Sequence, residues 1–349
     1  MNSLLFMGKK LSVKEKIELV KRNTYEIIGE EDLEKLFKKK QNKPSVYLGT
    51  APTGRPHVGY FVWALKIADL LRAGFHVKIL LADLHAALDN VPWKVLEERY
   101  NYYSKVIPLM VEAIGVDTEE LEFIKGSDFQ LKSEYMFELL QLTSFVSVHD
   151  SNKAGSEVVK QSDNPKVAGL LYPLMQVLDE QYLNVDMQLG GVDQRKIMVL
   201  ARENLPKLGY DSRIEMMFPL VPGLIGKKMS SSDNKGKIDL LDDPKTVVKK
   251  LKGAEMVAGN SNNGVMAFLK YVLMTIKKDK GEKFIVKRPE KFGGNLTYFN
   301  YNEIEKDFIE KKLHPLDLKN AVAESLNELL SILQKKKTSI EKIAKKAYS

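Results

Sequence analysis

The 349-residue sequence contains no cysteine. This absence excludes disulfide-stabilised scaffolds, cysteine-ligated zinc or iron–sulfur sites, and enzymes that use a thiol nucleophile. The sequence also lacks a hydrophobic run long enough to cross a membrane, and the apolar stretch before Lys9 is too short for the core of a signal peptide. We therefore expect a cytoplasmic protein that does not associate with membranes.

The composition, with 44% hydrophobic and 29% charged residues, is that of an ordinary globular protein. Its net charge of +8 lies entirely in the last third of the chain: residues 241–349 carry 22 Lys and Arg against 14 Asp and Glu, whereas residues 1–240 carry 32 of each. A basic segment beside a neutral one suits a polyanion such as RNA, whose phosphates bind Lys and Arg. Charge alone favours solvated helix faces over a polyanion-binding surface.

The first two thirds of the sequence alternate between helical and strand patterns. Apolar residues recur at helical spacing in residues 11–40, which we interpret as helices, and residues 46–48 form an apolar run before the Gly- and Pro-bearing loop 49–56. A helical pattern over 58–71 and an apolar strand over 77–81 complete a βαβ unit. Further buried strands are expected at 121–124, 185–189 and 214–218. This alternation predicts an α/β fold with a Rossmann-like, doubly wound parallel sheet, in which ligands bind beyond the carboxyl ends of the strands.

The strand patterns fade after residue 243, and helical patterns such as those over 265–276 and 318–333 replace them. We therefore predict two domains. Residues 1–240 would form amino-terminal helices and the sheet, and residues 241–349 a mostly helical carboxyl-terminal domain that carries the excess of basic residues.

Two motifs on this fold suit the binding of a nucleotide. Thr53, His57 and Gly59 lie where a loop turns into a helix, and a helix start binds anions through its unpaired backbone N–H groups. Residues 226–232 read GKKMSSS, and their two lysines and three hydroxyls can bind a polyphosphate and release it. A capping histidine and a solvated loop are simpler interpretations of each motif alone. Together in this order, on this fold, the two are much more specific.

A third group of polar residues lies within the apolar stretch 167–183. Tyr172, Gln176 and Asp179 are spaced at i, i+4 and i+7, which places them on one face of a helix. Buried polar groups need partners, and a ligand can supply them. Together with Tyr47 in the first predicted strand, this face suits a pocket for a small zwitterion that carries a phenol. An exposed polar stripe would have the same spacing.

The two nucleotide motifs resemble the HIGH and KMSKS signatures of class I aminoacyl-tRNA synthetases. Tyr60 stands at the second histidine of the first signature, and Ser231 at the second lysine of the other, so phosphate stabilisation would depend more on His57 and Lys228. From about residue 20 to the carboxyl terminus, the sequence is similar to the tyrosyl-tRNA synthetases of the archaeal and eukaryotic type. The stretches that carry this similarity are YLG at 47–49, LADLH at 81–85, YPLMQ at 172–176, GGVDQRK at 190–196 and HPLDLKN at 314–320.

This resemblance implies the residues of a tyrosine site. Tyr47 and Asp179 would bind the phenol hydroxyl, and Tyr172, Gln176 and Gln194 would hold the α-amino group. The remaining residues implied for this pocket are Gly49, Leu80 and Gln130.

The resemblance also implies an ATP site and an ATP-dependent tyrosine–tRNA ligase activity. The catalytic residues would be Thr53 and His57 at the polyphosphate, with Lys228, Ser230 and Ser231 at the departing pyrophosphate. The other ATP-binding residues would be Gly59, Gly191 and Asp193, of which the last two hold the ribose, and the backbone of Leu220 and Val221 at the adenine. Mg²⁺ would accompany ATP, and no protein-bound metal is expected.

The basic domain would, by the same resemblance, bind the anticodon of tRNA(Tyr). Phe292 would stack on a base and Asp317 would accept a hydrogen bond from a guanine, with His314 nearby, whereas Arg195 and Lys196 would face the acceptor end. Simpler interpretations are a core position for Phe292 and a helix N-cap at Asp317. The family also implies a homodimer, built through residues around 125–170.

Three alternatives remain open from the sequence. A tryptophanyl-tRNA synthetase shares the fold and the chemistry, but the pair Tyr47 and Asp179 suits a phenol. A nucleotidyltransferase that forms a small-molecule adenylate would not need the basic domain. A non-catalytic RNA-binding relative would be expected to have damaged motifs, whereas His57, Gly59 and Lys228 are present.

Overall fold

The computed structural model describes residues 11–39, 43–159, 166–225 and 236–348. The strands in these ranges are β1 (Glu26–Ile28), β2 (Ser45–Thr50), β3 (His76–Leu81), β4 (Leu121–Lys125), β5 (Met187–Gly191), β6 (Ile214–Phe218), β7 (Phe284–Val286) and β8 (Leu296–Tyr298).

The α-helices in the same ranges are α1 (Val13–Lys21), α2 (Leu33–Lys38), α3 (Phe61–Arg72), α4 (Asp83–Leu88), α5 (Leu96–Ile114), α6 (Ser127–Gln130), α7 (Ser133–Thr143), α8 (Val148–Gly155), α9 (Val167–Tyr182), α10 (Arg195–Asn204), α11 (Pro244–Lys252), α12 (Gly264–Phe268), α13 (Met274–Lys280), α14 (Tyr301–Ile309), α15 (Pro315–Lys335) and α16 (Lys337–Ala347). Short 3₁₀ turns cover Glu30–Asp32, Val58–Tyr60, Trp93–Val95, Val192–Gln194, Leu205–Leu208 and Glu290–Phe292, and Leu269–Leu273 is π-helical.

Six strands form one sheet in the order β1-β6-β5-β2-β3-β4. The last five run parallel, and β1 pairs antiparallel with β6 at the edge. In the middle of the sheet Tyr47 of β2 pairs with Gln188 of β5. The strand order reverses between these two strands, which is where doubly wound sheets bind ligands. The expected Rossmann-like α/β fold is confirmed.

Local sequence signals explain where the helices begin and end. Asp243 accepts a hydrogen bond from the backbone N–H of Thr246 at 3.0 Å and so caps α11, whose first residue is Pro244. Helix α5 ends at Gly115, which has a φ of 75°. A left-handed residue at this position is the usual way for a helix to end, and glycine adopts it without strain.

The structure differs from the sequence-based assignment in three places. Residues 11–40 are not all helical, because β1 lies between α1 and α2 and extends the sheet beside β6. The last third is mostly helical but also contains the antiparallel hairpin β7–β8. Strand β5 covers Met187–Gly191, two residues later than the predicted 185–189. Strands as short as β1 and β7 show too few residues for a period of two, and they depend on a partner distant in sequence.

One hydrophobic core extends across the domain boundary predicted near residue 240. Leu65 of α3 and Val106 of α5 belong to the same buried cluster as Leu269 and Leu330 from the last third of the chain. The helical segment therefore packs directly against the part that holds the sheet. Division into 1–240 and 241–349 stays a prediction.

Among the helices that the structure describes, none is both long and apolar enough to span a bilayer.

Two carboxyl groups lie buried behind the sheet. Glu180 of α9 and Glu215 of β6 are both fully buried, and their carboxyl oxygens have no hydrogen-bond partner among the described residues. Burial raises the pKa of Glu180 to about 8, and burial together with the charge of Glu180 raises the pKa of Glu215 well above its usual value. The charges of Arg202 and Arg213 oppose both shifts.

These raised pKa values make the free energy of unfolding depend on pH. Between about pH 4.5 and pH 8 the folded protein holds protons that the unfolded chain has released, so stability falls as the pH rises through this window. Glu215→Gln removes one of the two groups. We expect this variant to lose less stability between pH 5 and pH 8 than the unmodified protein, by on the order of 2 kcal/mol in urea unfolding.

Glu203→Gln is the matched control, because Glu203 is exposed on α10. A Glu215→Gln variant with the pH dependence of the unmodified protein would show that the buried pair does not titrate in this range.

Candidate active site

Residues predicted for the tyrosine and ATP sites lie around the carboxyl ends of β2 and β5. Strand β2 ends at Thr50 and leads to the turn Val58–Tyr60, whereas β5 ends at Gly191 and leads to the turn Val192–Gln194. Since the two strands are parallel neighbours, both turns lie at the same edge of the sheet.

Asp179 is the centre of a buried polar cluster. Its Oδ1 atom accepts hydrogen bonds from Gln130 Nε2 at 2.8 Å and from the Tyr135 hydroxyl at 2.9 Å. Its Oδ2 atom lies 3.7 Å from His85 Nε2. Burial raises the pKa of Asp179 to about 7, although the hydrogen bonds from Gln130 and Tyr135 oppose the shift. All four side chains are buried.

His85 lies beside this cluster. Its Nδ1 is 3.5 Å from Gln130 Nε2, and its ring also forms a hydrogen bond with the backbone of Tyr172. Burial lowers the pKa of His85 to about 4 and keeps the ring neutral. His85 Nε2 and the amide oxygen of Gln130 have no hydrogen-bond partner among the described residues. Buried polar atoms in this state are suited to a polar ligand.

Tyr47 and two glutamines form the neighbouring wall. The Tyr47 hydroxyl donates to the carbonyl oxygen of Gln176 at 3.3 Å, and Gln176 Nε2 donates to Gln194 Oε1 at 2.8 Å. The ring of Tyr172 packs edge-on against His85 with 4.7 Å between ring centres. Leu80 of β3 packs in the same buried cluster as Tyr47. The helix face predicted from Tyr172, Gln176 and Asp179 is therefore buried and is not an exposed stripe.

Gly49 leaves open space above the central strand. It is only partly buried, and a Cβ atom at this position would meet nothing nearer than Tyr47 Cε2 at 3.8 Å. Protein packing therefore does not require glycine here. A ligand that approaches the strand closely would require it.

Sequence reasoning missed two members of the cluster. Tyr135 of α7 was not singled out, because its contact with Asp179 joins positions 44 residues apart and follows from no local pattern. His85 was noted only within the LADLH stretch. Its position four residues after the end of β3 was the available signal, since ligand-binding residues follow strand ends in this fold.

His57 begins the turn that leads into α3. Its Nδ1 atom accepts a hydrogen bond from the backbone N–H of Gly59 at 3.2 Å, so its Nε2 atom carries the proton. Burial, with a smaller effect of the Lys237 charge, lowers the pKa of His57 to about 3. His57 is therefore a neutral donor at a helix start, as a phosphate site needs. Thr53 lies in the preceding segment and is partly exposed.

Gly191 is closely packed at the end of β5. A Cβ atom at this position would lie 2.4 Å from Asp193 Oδ1, so that side chain would have to move, and 3.1 Å from Leu220 Cδ2, which is a tight contact. The side chains of Asp193 and Leu220 therefore lie against the end of this strand. The positions predicted for the ribose and the adenine are thus neighbours, and their roles stay predictions.

The residues Lys228, Ser230 and Ser231 of the second motif lie outside the described residues. The residues on either side of that segment pair with each other, because the N–H of Leu224 donates to the carbonyl of Gly236 at 2.9 Å. Directly afterwards, the N–H of Val58 donates to the carbonyl of Ile238 at 2.9 Å. The flanks of the second motif are thus hydrogen-bonded to the turn that follows His57.

The residues expected to contact tRNA lie in two regions. Arg195 forms two hydrogen bonds with Glu26 at 2.7 and 2.8 Å, and Lys196 forms an ion pair with Glu157 at 2.8 Å, both at the start of α10. Phe292 lies in the last third of the chain and is 60% exposed, so it is not a core residue.

The cap of α15 differs from the simpler interpretation of Asp317. His314 is the N-cap, with its Nδ1 accepting from the N–H of Leu316 at 3.2 Å, and Pro315 is the first helical residue. Asp317 lies in the first turn and is not the cap. Arg288 connects this region to the turn after Phe292, because it donates to the carbonyls of Gly294 at 3.0 Å and Lys312 at 3.1 Å.

No group of three or more His, Asp or Glu side chains within the described ranges is arranged to hold a metal ion.

Comparison with known proteins agrees with this geometry. The family model for class I tRNA synthetases (W and Y) matches residues 38–331. The cytoplasmic tyrosine–tRNA ligase of Danio rerio is 51% identical over 98% of this chain, and that of Saccharomyces cerevisiae is 48% identical over 89% of this chain and 81% of its own. The crystal structure of tyrosyl-tRNA synthetase complexed with L-tyrosine from Archaeoglobus fulgidus superposes with a TM-score of 0.84 at 37% identity, covering 93% of this chain and 99% of that one.

The chain spans 64% of the length of the Danio rerio protein. The yeast and archaeal relatives are matched over most of their length. The chain belongs to the class I tRNA synthetases of the W and Y group, and within that group to the tyrosyl-tRNA synthetases of the archaeal and eukaryotic type.

Proposed function

We propose that the protein activates L-tyrosine with ATP and transfers it to the 3′ end of tRNA(Tyr). The observation that carries this proposal is the buried cluster of Asp179, Gln130 and Tyr135 beside Tyr47, at the switch point of the sheet. A tryptophan indole has no hydroxyl to bind such a cluster. A phenol hydroxyl, in contrast, can donate to Asp179 and accept from a neighbouring donor.

Binding of tyrosine uses the two walls differently. Asp179 and Tyr47 bind the phenol hydroxyl, with Gln130 and Tyr135 holding the carboxylate of Asp179 in place. Tyr172, Gln176 and Gln194 bind the α-amino group. Gly49 and Leu80 complete the pocket. An amino acid without the hydroxyl would leave buried hydrogen-bonding groups at Asp179 unpaired. Tyrosyl-tRNA synthetases are themselves the usual example of this discrimination against phenylalanine.

The activation step needs no general base. The carboxylate of tyrosine is already ionised at neutral pH, and its oxygen attacks the α-phosphorus of ATP as the bond to pyrophosphate breaks. Thr53, His57 and Gly59 hold the phosphates, Gly191 and Asp193 the ribose, and the backbone of Leu220 and Val221 the adenine. Lys228, Ser230 and Ser231 stabilise the leaving pyrophosphate, and Mg²⁺ enters with ATP. A terminal ribose hydroxyl of tRNA then attacks the tyrosyl carbonyl and releases AMP.

The test of this proposal is amino-acid-dependent exchange of pyrophosphate into ATP. We expect exchange with tyrosine and not with tryptophan or phenylalanine. Asp179→Asn should raise the KM for tyrosine in this assay by roughly 10- to 100-fold, because a carboxylate acceptor is replaced by a neutral amide. Binding of ATP should change little, since Asp179 lies on the tyrosine side of the cleft.

Asp128→Asn on α6 is the control for this variant, because Asp128 is exposed. Exchange with tryptophan would contradict the roles of Tyr47 and Asp179, and an inactive protein that still binds tRNA would support the non-catalytic alternative.

Recognition of tRNA is proposed for the last third of the chain. Phe292 offers an exposed ring for stacking on an anticodon base, with Lys291 Nζ 5.0 Å from the ring centre. Arg288 fixes the turn beside Phe292 to the segment that leads to His314 and Asp317. Arg195 and Lys196 would exchange their carboxylate partners for phosphates of the acceptor end.

Phe292→Ala should therefore impair charging without impairing activation. We expect the KM for tRNA to rise roughly 10-fold, since the stacking of one base on an aromatic ring contributes about 1–3 kcal/mol. Pyrophosphate exchange should be unchanged. Ile285→Ala is the control, because Ile285 is a partly exposed apolar residue of the same hairpin. An unaltered KM for tRNA would remove Phe292 from the interface.

A homodimer is proposed through residues 131–148. The exposed apolar residues of this region, on α7 and its flanks, are Leu131, Met136, Phe137, Leu140, Phe145 and Val148. Exposed apolar side chains that cluster on a folded protein mark an interaction surface. A cytoplasmic location, as in the names of the eukaryotic relatives, is part of the same proposal.

Phe137→Glu should convert this dimer into a monomer. A charge at a side chain that is 63% exposed in the single chain costs little there, but it is buried without a partner in the dimer. We expect sedimentation equilibrium to show half the mass of the unmodified protein at micromolar concentration. Phe292→Glu, away from this face, should leave the mass unchanged, and a monomeric unmodified protein would overturn the proposal.

A further inference from the structure

The backbone segment 52–56 connects β2 to the turn that contains His57 and Gly59. Each of its five carbonyl oxygens accepts a hydrogen bond from another part of the chain. In order along the segment, the donors are Arg99 for Pro52 and Thr53, Tyr103 and Tyr348 for Gly54, Lys237 for Arg55, and the backbone N–H of Leu240 for Pro56.

The carbonyl of Gly54 is the most heavily bonded of the five. The hydroxyls of Tyr103 and Tyr348 donate to it at 2.7 and 2.9 Å. A carbonyl oxygen has two lone pairs, so both bonds form together. One donor comes from α5, in the middle of the chain, and the other from the residue that follows α16.

The carboxyl-terminal helix is attached to this segment by further contacts. Arg99 Nε donates to the carbonyl of Ala347 at 3.2 Å, and its guanidinium lies over the Tyr348 ring, 4.8 Å from the ring centre. Arg55 forms two hydrogen bonds with the carboxylate of Glu341, each 3.0 Å long. Helix α16 thus contacts both the backbone and a side chain of segment 52–56.

The placement of these bonds suits a function beyond joining two helices. Carbonyl oxygens carry partial negative charge, and a phosphate chain near them is repelled unless they are turned towards donors. Here donors hold all five, in a segment that leads directly to the neutral donor His57.

We propose that Tyr348, Tyr103 and Arg99 are positioning residues for ATP: they hold the backbone of segment 52–56 in the conformation that accepts the triphosphate, and the residue that follows α16 is thereby a structural part of the nucleotide site. This inference rests on the proposed function, since it assigns the segment to ATP.

The test removes the two hydroxyls singly and together. Tyr103→Phe and Tyr348→Phe each leave the Gly54 carbonyl with one donor, so each should raise the KM for ATP in pyrophosphate exchange by no more than about twofold. The double variant leaves the partly buried carbonyl of Gly54 without either tyrosine donor. We expect it to raise the KM for ATP by roughly 10-fold, far more than the product of the single effects.

Two measurements separate positioning from a general loss of structure. The dissociation constant of tyrosine should change less than twofold in the double variant, because the pocket around Asp179 is built from other residues. Tyr100→Phe is the matched control, since it removes a tyrosine hydroxyl from the same helix, α5, and no hydrogen bond among the described residues joins Tyr100 to segment 52–56. Thermal unfolding shows whether the double variant folds. If it does not, Tyr103→Phe combined with Tyr348→Trp takes its place, because tryptophan keeps an aromatic ring over Arg99.

The outcomes distinguish this inference from the proposed function. Absence of tyrosine-dependent exchange in the unmodified protein would overturn the proposed function itself. If exchange is normal, the KM for ATP of the double variant decides the positioning role. A KM that is unchanged, or that rises only by the product of the two single-variant increases, would overturn this role and leave the proposed function intact. An equal loss of tyrosine and ATP binding would mean that the contacts only support the fold.

Discussion

The pairing of β2 with β5 is the constraint on which the rest of the site depends. The two strands run parallel in the middle of the sheet, with β3 on the outer side of one and β6 on the outer side of the other. Because the chain leaves them in opposite directions across the sheet, a cleft opens between their carboxyl ends. His57 and Asp193 lie just beyond those ends although they are distant in sequence. Strand pairing brings these groups close together, and the hydrogen bonds of the site then fix their orientation.

Burial in the cleft decides the charge of its titratable groups. The low pKa values of His57 and His85, about 3 and about 4, keep both rings neutral near pH 7. A neutral ring that accepts a hydrogen bond at one nitrogen, as His57 does from Gly59, donates at the other, which suits a phosphate oxygen. The pKa of Asp179, about 7, places this carboxyl near the balance between its two forms. A ligand that donates to Asp179 favours the ionised form, so binding of such a ligand is linked to release of a proton.

Local periodicity predicts one wall of the site and not the other. Tyr172, Gln176 and Asp179 belong to one helix, so their shared face follows from the sequence. Tyr135 reaches Asp179 from another helix, and nothing near Tyr135 in the sequence indicates that contact. The parallel sheet could be predicted because its strands are apolar runs between helices, whereas β1 and the hairpin β7–β8 are only three residues per strand and form through distant partners. For Asp317 the simpler alternative to a tRNA contact is the cap of α15, because its side chain suits a cap. Pro315 as the first helical residue instead gives that position to His314.

Helix α15 fixes the distance between the region around His314 and the nucleotide cleft proposed beside segment 52–56. It begins beside His314 and, with 21 residues at a rise of about 1.5 Å each, spans roughly 30 Å before α16 continues towards segment 52–56. Leu326 and Leu330 of α15 lie in the same core as Val106 of α5, so the helix cannot shift along the catalytic part without opening close-packed contacts. If the proposed tRNA contacts at the start of α15 form, a rigid helix and not a linker positions them. The separation between the proposed anticodon contacts and the proposed nucleotide cleft is then set by packing, which requires the core to be continuous across residue 240.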